Sequence, residues 1–233
     1  MMRMLTIPSA GTSHHDGGAV LASGPEFVRA SAAAVLVHGR GATADGMLAL
    51  TEHLRRDDVL FIAPQATGNV WYPFPFMTPS ERNEPWLTSA LSRLTEVVRY
   101  VEGQGIPRGR QMLLGFSQGA CLSLEWAARN GGIGAVAGLS GGLIGASLRR
   151  ELYRPVLAGT TVFLGCSDID PHIPEGRVNE SAEEFRTRGA GVTARIYPGM
   201  AHTVNRDELD AVAAQLERLT ARRDGTTSKE EGR

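Results

Sequence analysis

Residues 111–120 read Gln111-Met112-Leu113-Leu114-Gly115-Phe116-Ser117-Gln118-Gly119-Ala120, and this stretch decides the fold. Met112–Leu114 form a short apolar run of the kind found in a buried strand. The residues after Gly119, with Ala120, Cys121, Leu124, Ala127 and Ala128 on one stripe, follow a helical period. Between them lies Gly-x-Ser-x-Gly, a strand-to-helix turn so sharp that a serine at its apex needs unusual backbone angles and small neighbours. Small residues on the stripe let the helix lie close to the sheet. Glu125 and Arg129, one turn apart, are expected to pair on its exposed side.

Outward from this element, the runs Ala33–Val37, Val59–Ile62, Ala135–Leu139, Thr161–Leu164 and Val192–Tyr197 are short, apolar and bounded by Gly, Pro or His. They read as strands of a parallel sheet covered on both faces, which needs no polar alternation. Helical stripes separate them: Leu87, Leu91, Leu94, Val98 and Val101 form one, and Val178, Ala182 and Phe185 another that stops at Gly189. The last helix opens with Asn205 and Glu208 in capping-box spacing and carries Leu209, Val212, Ala213, Leu216 and Leu219 on one face. The alternation predicts an α/β fold with a mostly parallel sheet, helices on both faces and active groups at the strands' carboxyl ends. Residues 1–233 are read as one domain, with a glycine-scattered start that fits an irregular or antiparallel edge. A polar, frayed tail is expected over about 224–233.

Charge and composition narrow the function classes. A formal net charge of -1 gives no field to attract polyanions, so nucleic acid is not an expected partner. No run approaches the roughly 18 apolar residues of a membrane helix, and the first residues lack a signal peptide's apolar core; no integral membrane association and a cytoplasmic location are expected. Cys121 and Cys166 read as free buried thiols, His14 and His15 as solvent-exposed side chains. No cluster has the ligand set of a metal site, and nothing in the chain asks for a cofactor. A homodimer is as compatible with these features as a monomer.

A serine hydroxyl is a poor nucleophile unless a base lies within hydrogen-bonding reach and an acid holds that base in its working tautomer. Downstream, His202 sits between the last strand and the capped last helix, placed to be the base. Two acids follow the strand over Thr161–Leu164, Asp168 and Asp170, and placement alone does not choose between them. Backbone N–H donors for an oxyanion are available from the loop Val37-His38-Gly39-Arg40-Gly41-Ala42 and from Gln118, the residue after the serine. The run Val70-Trp71-Tyr72-Pro73-Phe74-Pro75-Phe76-Met77 is too broken by proline to be a helix. It lines an acyl pocket through Trp71, Tyr72 and Phe74 in one reading and packs as a plain surface loop in the other.

Four motifs in this order, His38-Gly39-Arg40-Gly41, Gly115-Phe116-Ser117-Gln118-Gly119-Ala120, Asp170-Pro171-His172-Ile173-Pro174 and Gly199-Met200-Ala201-His202, resemble the phospholipase/carboxylesterase family of α/β hydrolases. That group includes bacterial carboxylesterases and acyl-protein thioesterases. The resemblance implies Ser117, Asp170 and His202 as a catalytic triad, with the N–H groups of Arg40 and Gln118 as the oxyanion hole. Arg40 departs from relatives that carry an apolar residue there, so the task of its side chain stays open. The activity read for the chain is cofactor-free hydrolysis of small-molecule carboxylic esters through an acyl-enzyme. The proline-broken interval from Ala63 to Trp86 leaves no room for a large helical lid, so the esters are expected to be small to medium in size and soluble. A thioesterase or lysophospholipase would use the same residues. A silent binding protein on the same fold would require a broken triad.

Overall fold

The computed structural model describes residues 2–8, 11, 14–54, 56–153 and 155–221, so the polar tail expected from 224 lies outside the described residues. Eight strands form one sheet: β1 Arg3–Leu5, β2 Val20–Ser23, β3 Ala32–Val37, β4 Val59–Pro64, β5 Gln111–Phe116, β6 Ala135–Leu139, β7 Thr161–Ser167 and β8 Gly191–Tyr197. Their spatial order is β1-β2-β4-β3-β5-β6-β7-β8. The β1–β2 and β2–β4 pairings are antiparallel and all the others parallel, so β2 alone runs against the rest. The helices are α1 Ala44–Ala49, α2 Thr51–Leu54, α3 Trp86–Gly103, α4 Gln118–Asn130, α5 Glu175–Thr187 and α6 Arg206–Ala221.

Alternate residues of β3 show why this sheet needs no polar face. Ala33, Val35 and Val37 join the core under α3, α4 and α5, while Ala32, Ala34 and Leu36 join the core under α1 and α6; all six are buried. The chain leaves β3 for β4 on one side and later returns to lay β5 on the other, so the strand order reverses at β3. In open α/β sheets the crevice at such a reversal, outside the strands' carboxyl ends, is where ligands bind.

Two expectations are corrected here. The last strand, β8, forms the sheet edge rather than a strand buried on both faces: Thr193 and Arg195 are exposed while Val192, Ala194 and Ile196 are half-buried, the alternation of a strand with one open face. α4 has no exposed side at Glu125. The Glu125–Arg129 ion pair forms, but Glu125 is wholly buried and also accepts the Tyr153 hydroxyl at 2.9 Å and the Ile144 N–H at 3.0 Å. The chain after β6 covers the face that an isolated amphipathic helix would leave to water.

The predicted cap of α6 is present in both directions. Asn205 Oδ1 accepts the Glu208 N–H at 2.9 Å and Glu208 Oε2 accepts the Asn205 N–H at 2.9 Å, fixing where the helix starts and where the preceding loop ends. Glu208 is fully buried, and its other oxygen, Oε1, has no hydrogen-bond partner beside Gly165. Burial pushes its carboxyl up to about 7, against the lowering effect of the Asn205 N–H. A carboxyl raised in this way holds its proton more tightly folded than unfolded. Its contribution to stability therefore declines as pH rises from the ordinary glutamate range to about 7 and is flat above. Glu208→Gln keeps an acceptor for the cap and removes the charge. Relative to the wild type it should gain on the order of 2 kcal/mol in going from about pH 5 to pH 8, read by urea denaturation at both. Parallel pH responses of the two proteins would show that Glu208 titrates alike folded and unfolded.

Candidate active site

Ser117 occupies the turn between β5 and α4 at φ 55°, ψ −119°, a left-handed conformation that side chains rarely adopt. Two glycines make the turn possible. A Cβ on Gly115 would run into the backbone of Gly119, and a Cβ on Gly119 would run into the Val37 carbonyl at the end of β3. The N–H of Ser117 is tied to the Leu139 carbonyl at 2.9 Å, so the strained apex is held from β6 as well.

Three side chains from three loops converge there. His202, between β8 and α6, places Nε2 at 2.9 Å from Ser117 Oγ and Nδ1 at 2.7 Å from Asp170 Oδ2. Asp170, in the loop after β7, is oriented by its other oxygen, which accepts the N–H groups of His172 at 2.9 Å and Ile173 at 3.0 Å. Burial raises its carboxyl, but the bonds from His202 and the two N–H groups outweigh burial and hold it below the ordinary aspartate value. It is therefore ionised at neutral pH. The His202 ring is flanked by Phe116 and by His172, each with ring centroids 5.0 Å away. Asp168, the other acid of this loop, points elsewhere and accepts the Gly199 N–H at 2.8 Å, bridging the two loops that carry Asp170 and His202.

Across from the serine, the loop after β3 is held by the buried His38. Its Nε2 accepts the Ala66 N–H at 3.1 Å, which leaves Nδ1 to carry the proton and donate to the Gly39 carbonyl at 2.8 Å. Burial lowers the pKa of this imidazole, the Gly39 carbonyl opposing, and the ring is neutral. A trans peptide points its carbonyl and the following N–H in opposite directions, so anchoring the Gly39 carbonyl also fixes the direction of the Arg40 N–H. Among the described residues the N–H of Arg40 and that of Gln118, the first residue of α4, meet no protein acceptor.

The cleft in front of Ser117 has a volume of about 540 Å³ and is walled chiefly by Tyr72, Pro73, Pro75, Phe76, Phe116 and Ile173. The aromatic run therefore reaches the site through residues only partly those expected. Trp71 is wholly buried behind the wall, its indole N–H donating to the His38 carbonyl at 2.9 Å. Phe74 lies outside the cleft, 38% exposed with the Arg82 guanidinium over its ring. Tyr72 does line it, and Phe76 takes the place given to Phe74. Alternating prolines break the strand or helix period from which a facing direction could be read.

The side chain of Arg40 donates to the carbonyls of Tyr72 at 2.8 Å and Phe74 at 3.2 Å, and Gln118 accepts the Trp71 N–H at 2.9 Å and donates to the Tyr72 carbonyl at 2.8 Å. Both residues thus strap the aromatic segment to the site. Phe116, Cys121 and His172 also line the cleft; Phe116 and His172 lie inside the motifs and Cys121 just after one, but spacing alone does not show that they face substrate space. Burial pushes the Cys121 thiol up to about 12, so it lines the cleft as a neutral thiol. His15, expected at the surface, is buried instead. It accepts the Thr67 N–H at 3.2 Å and lies 2.9 Å from the Trp71 carbonyl, so the N-terminal segment braces the same wall.

Residues 25–220 match the model of the phospholipase/carboxylesterase family. The chain belongs to that family. It is 30% identical over 216 residues to Acyl-protein thioesterase 1 of Gibberella zeae, covering 82% of this chain and 92% of that protein. The crystal structure of a phospholipase/carboxylesterase from Dyadobacter fermentans superposes with a TM-score of 0.82 at 41% identity, over 85% of this chain and 95% of that one. A carboxylesterase from Mesorhizobium loti, at TM-score 0.68 and 16% identity over 86% of this chain and 94% of that one, shares the fold. The architecture is the α/β-hydrolase fold, as the motifs implied, and the chain is a hydrolase of the esterase/thioesterase family. No helix among the described residues is long and apolar enough to cross a membrane.

Proposed function

We propose that the protein hydrolyses carboxylic esters of small to medium soluble substrates through an acyl-enzyme on Ser117. The observation that carries this reading is the unbroken relay from Asp170 through His202 to a serine hydroxyl that faces the cleft. His202 Nε2 takes the proton of Ser117 Oγ as the oxygen bonds to the ester carbonyl carbon, and Asp170 stabilises the imidazolium that forms. The N–H groups of Arg40 and Gln118 receive the oxyanion. The tetrahedral intermediate collapses as His202 gives its proton to the leaving alcohol. Water then enters by the same base, and release of the acid restores the serine. Labelling by a fluorophosphonate, traced to Ser117 by peptide mass analysis, tests this directly. An enzyme that hydrolysed p-nitrophenyl acetate but was labelled elsewhere would have its nucleophile misassigned.

The thioester reading keeps a specific support, the likeness to Acyl-protein thioesterase 1 of Gibberella zeae. Matched oxygen esters and thioesters of one acyl group separate the two. Acyl length follows from the cleft, whose aromatic and proline wall buries a few methylenes at about 0.8 kcal/mol each before the chain meets solvent. For p-nitrophenyl esters, kcat/KM should rise over the first few acyl carbons and then level or fall, and Phe76→Ala should flatten the rise. Efficiency that kept increasing through palmitate would require a longer pocket than this one. Trp71→Ala is expected to act differently from Phe76→Ala, lowering activity at every chain length, because it removes the brace under the His38 carbonyl.

A further inference from the structure

A second hollow, of about 360 Å³, borders His202 on the side of α1. It shares Gly39, Ala42, Phe116 and His202 with the main cleft but is not lined by Ser117, Gln118 or Arg40. Its own wall is mostly apolar, with Gly46, Met47 and Leu50 from α1 and its end and Val204 from the loop before α6, and Thr203 beside Val204 is its one added hydroxyl. No charged side chain lines it among the described residues, and His38 at its floor is kept neutral by burial.

We infer that this hollow is the leaving-group site, and that it selects esters of apolar alcohols. The inference rests on the hydrolase reading above. With the carbonyl carbon against Ser117 Oγ and its oxygen turned to the Arg40 and Gln118 N–H groups, the acyl and alcohol arms of an ester must diverge. The proton that frees the alcohol comes from His202 Nε2, which lies 2.9 Å from Ser117 Oγ, so the alcohol arm passes the edge of the His202 ring. Among the described residues the main cleft and the α1 hollow both border that ring. The one containing Ser117, backed by Tyr72, Phe76 and Cys121, takes the acyl arm, and the α1 hollow receives the alcohol.

Its chemistry favours an aryl or alkyl body, since a phosphodiester headgroup would find no cation there to offset the loss of its hydration. A glycerophosphoryl leaving group of the kind a lysophospholipase releases is therefore disfavoured. Deacylation runs through the same place in reverse. An apolar alcohol seated in the hollow gives its proton to His202 and forms a bond to the acyl carbon as the bond from that carbon to Ser117 Oγ breaks. The proton then passes to Ser117 Oγ, yielding a new ester instead of an acid.

The test compares methyl and benzyl acetate, whose alcohols leave with similar intrinsic ease, in the wild type, Leu50→Ser and Gly46→Leu. Leu50 is half-buried, and a Cβ on Gly46 meets only Thr43 Oγ1, at 3.2 Å, so one variant weakens the apolar wall and the other narrows the space while asking the Thr43 side chain that caps α1 to shift by a few tenths of an ångström. In the wild type, kcat/KM for benzyl acetate should exceed that for methyl acetate by roughly tenfold or more, as burial of a ring predicts. Each variant should shrink that ratio several-fold while leaving the ratio of methyl butanoate to methyl acetate where it was. Benzyl alcohol added to the wild type should divert acyl-enzyme to benzyl ester more effectively than methanol does. Equal rates for the two acetates in a wild type that labels at Ser117 would overturn the leaving-group site alone. So would variants that shift the butanoate ratio instead, since the acyl arm would then occupy this hollow. A wild type that neither labels nor hydrolyses any ester would remove the hydrolase reading and this inference together.

Discussion

Replacing Ser117 with Ala is expected to lower kcat by about 10⁴-fold or more, because only binding and the oxyanion donors would remain to assist water. Stability should hardly change. The apex conformation, φ 55° and ψ −119°, is imposed by the close approach of α4 to β3 and β5, and alanine meets it with the same Cβ as serine. The side-chain bond lost, Oγ to His202 Nε2, is part-buried and leaves a nitrogen that water in the open cleft satisfies. The variant should therefore melt within a degree or two of the wild type while losing turnover and fluorophosphonate labelling together. Turnover near the wild-type level in a folded Ser117→Ala protein would remove the relay from the mechanism, however good its geometry.

The features legible in the sequence are those whose cause is local. The turn at Ser117 could be read because contacts too close for any Cβ leave glycine as the residue at 115 and 119. The start of α6 could be read because Asn205 and Glu208 satisfy each other's backbone within one turn. What failed depended on neighbours distant in the chain. β8 is the exception: Thr193 and Arg195 alternate with Val192, Ala194 and Ile196, the local pattern of a strand with one open face, and the strand order puts it at the edge. α4 has the stripe of an amphipathic helix, yet the chain around Ile144 and Tyr153 closes over Glu125 and makes the helix interior on every side. His15 and Trp71 are buried where the N-terminal segment, a proline-broken loop and the loop after β3 meet, stretches with no readable period. The candidate site lay between these cases. Its groups sit at strand ends that periodicity located, while the direction of each wall residue had to come from packing.

The choice between Asp170 and Asp168 is where geometry adds most to sequence, and it leads to the second large effect. Asp170→Asn is expected to lower kcat by on the order of 10³- to 10⁴-fold, and Asp168→Asn by no more than a few-fold. Asp170 Oδ1 accepts two backbone N–H groups, from His172 and Ile173, and only an oxygen can fill that position. An asparagine side chain must then turn its NH₂ toward His202 Nδ1, where the carboxylate Oδ2 now lies at 2.7 Å. A donor there makes Nδ1 the acceptor and moves the imidazole proton to Nε2, the nitrogen that must receive the proton of Ser117 Oγ. The variant thus loses both the countercharge for the imidazolium and the tautomer that works as a base, with every backbone contact of the loop preserved. At Asp168 the same substitution leaves an amide oxygen able to accept the Gly199 N–H, so the bridge between the two loops survives. Kinetics with p-nitrophenyl acetate, together with the rate of fluorophosphonate labelling at Ser117, should both follow this ranking, because labelling needs the same base. If Asp168→Asn were the crippled protein and Asp170→Asn nearly normal, His202 would have to take its partner from Asp168, a geometry in which the loop after β7 is rebuilt.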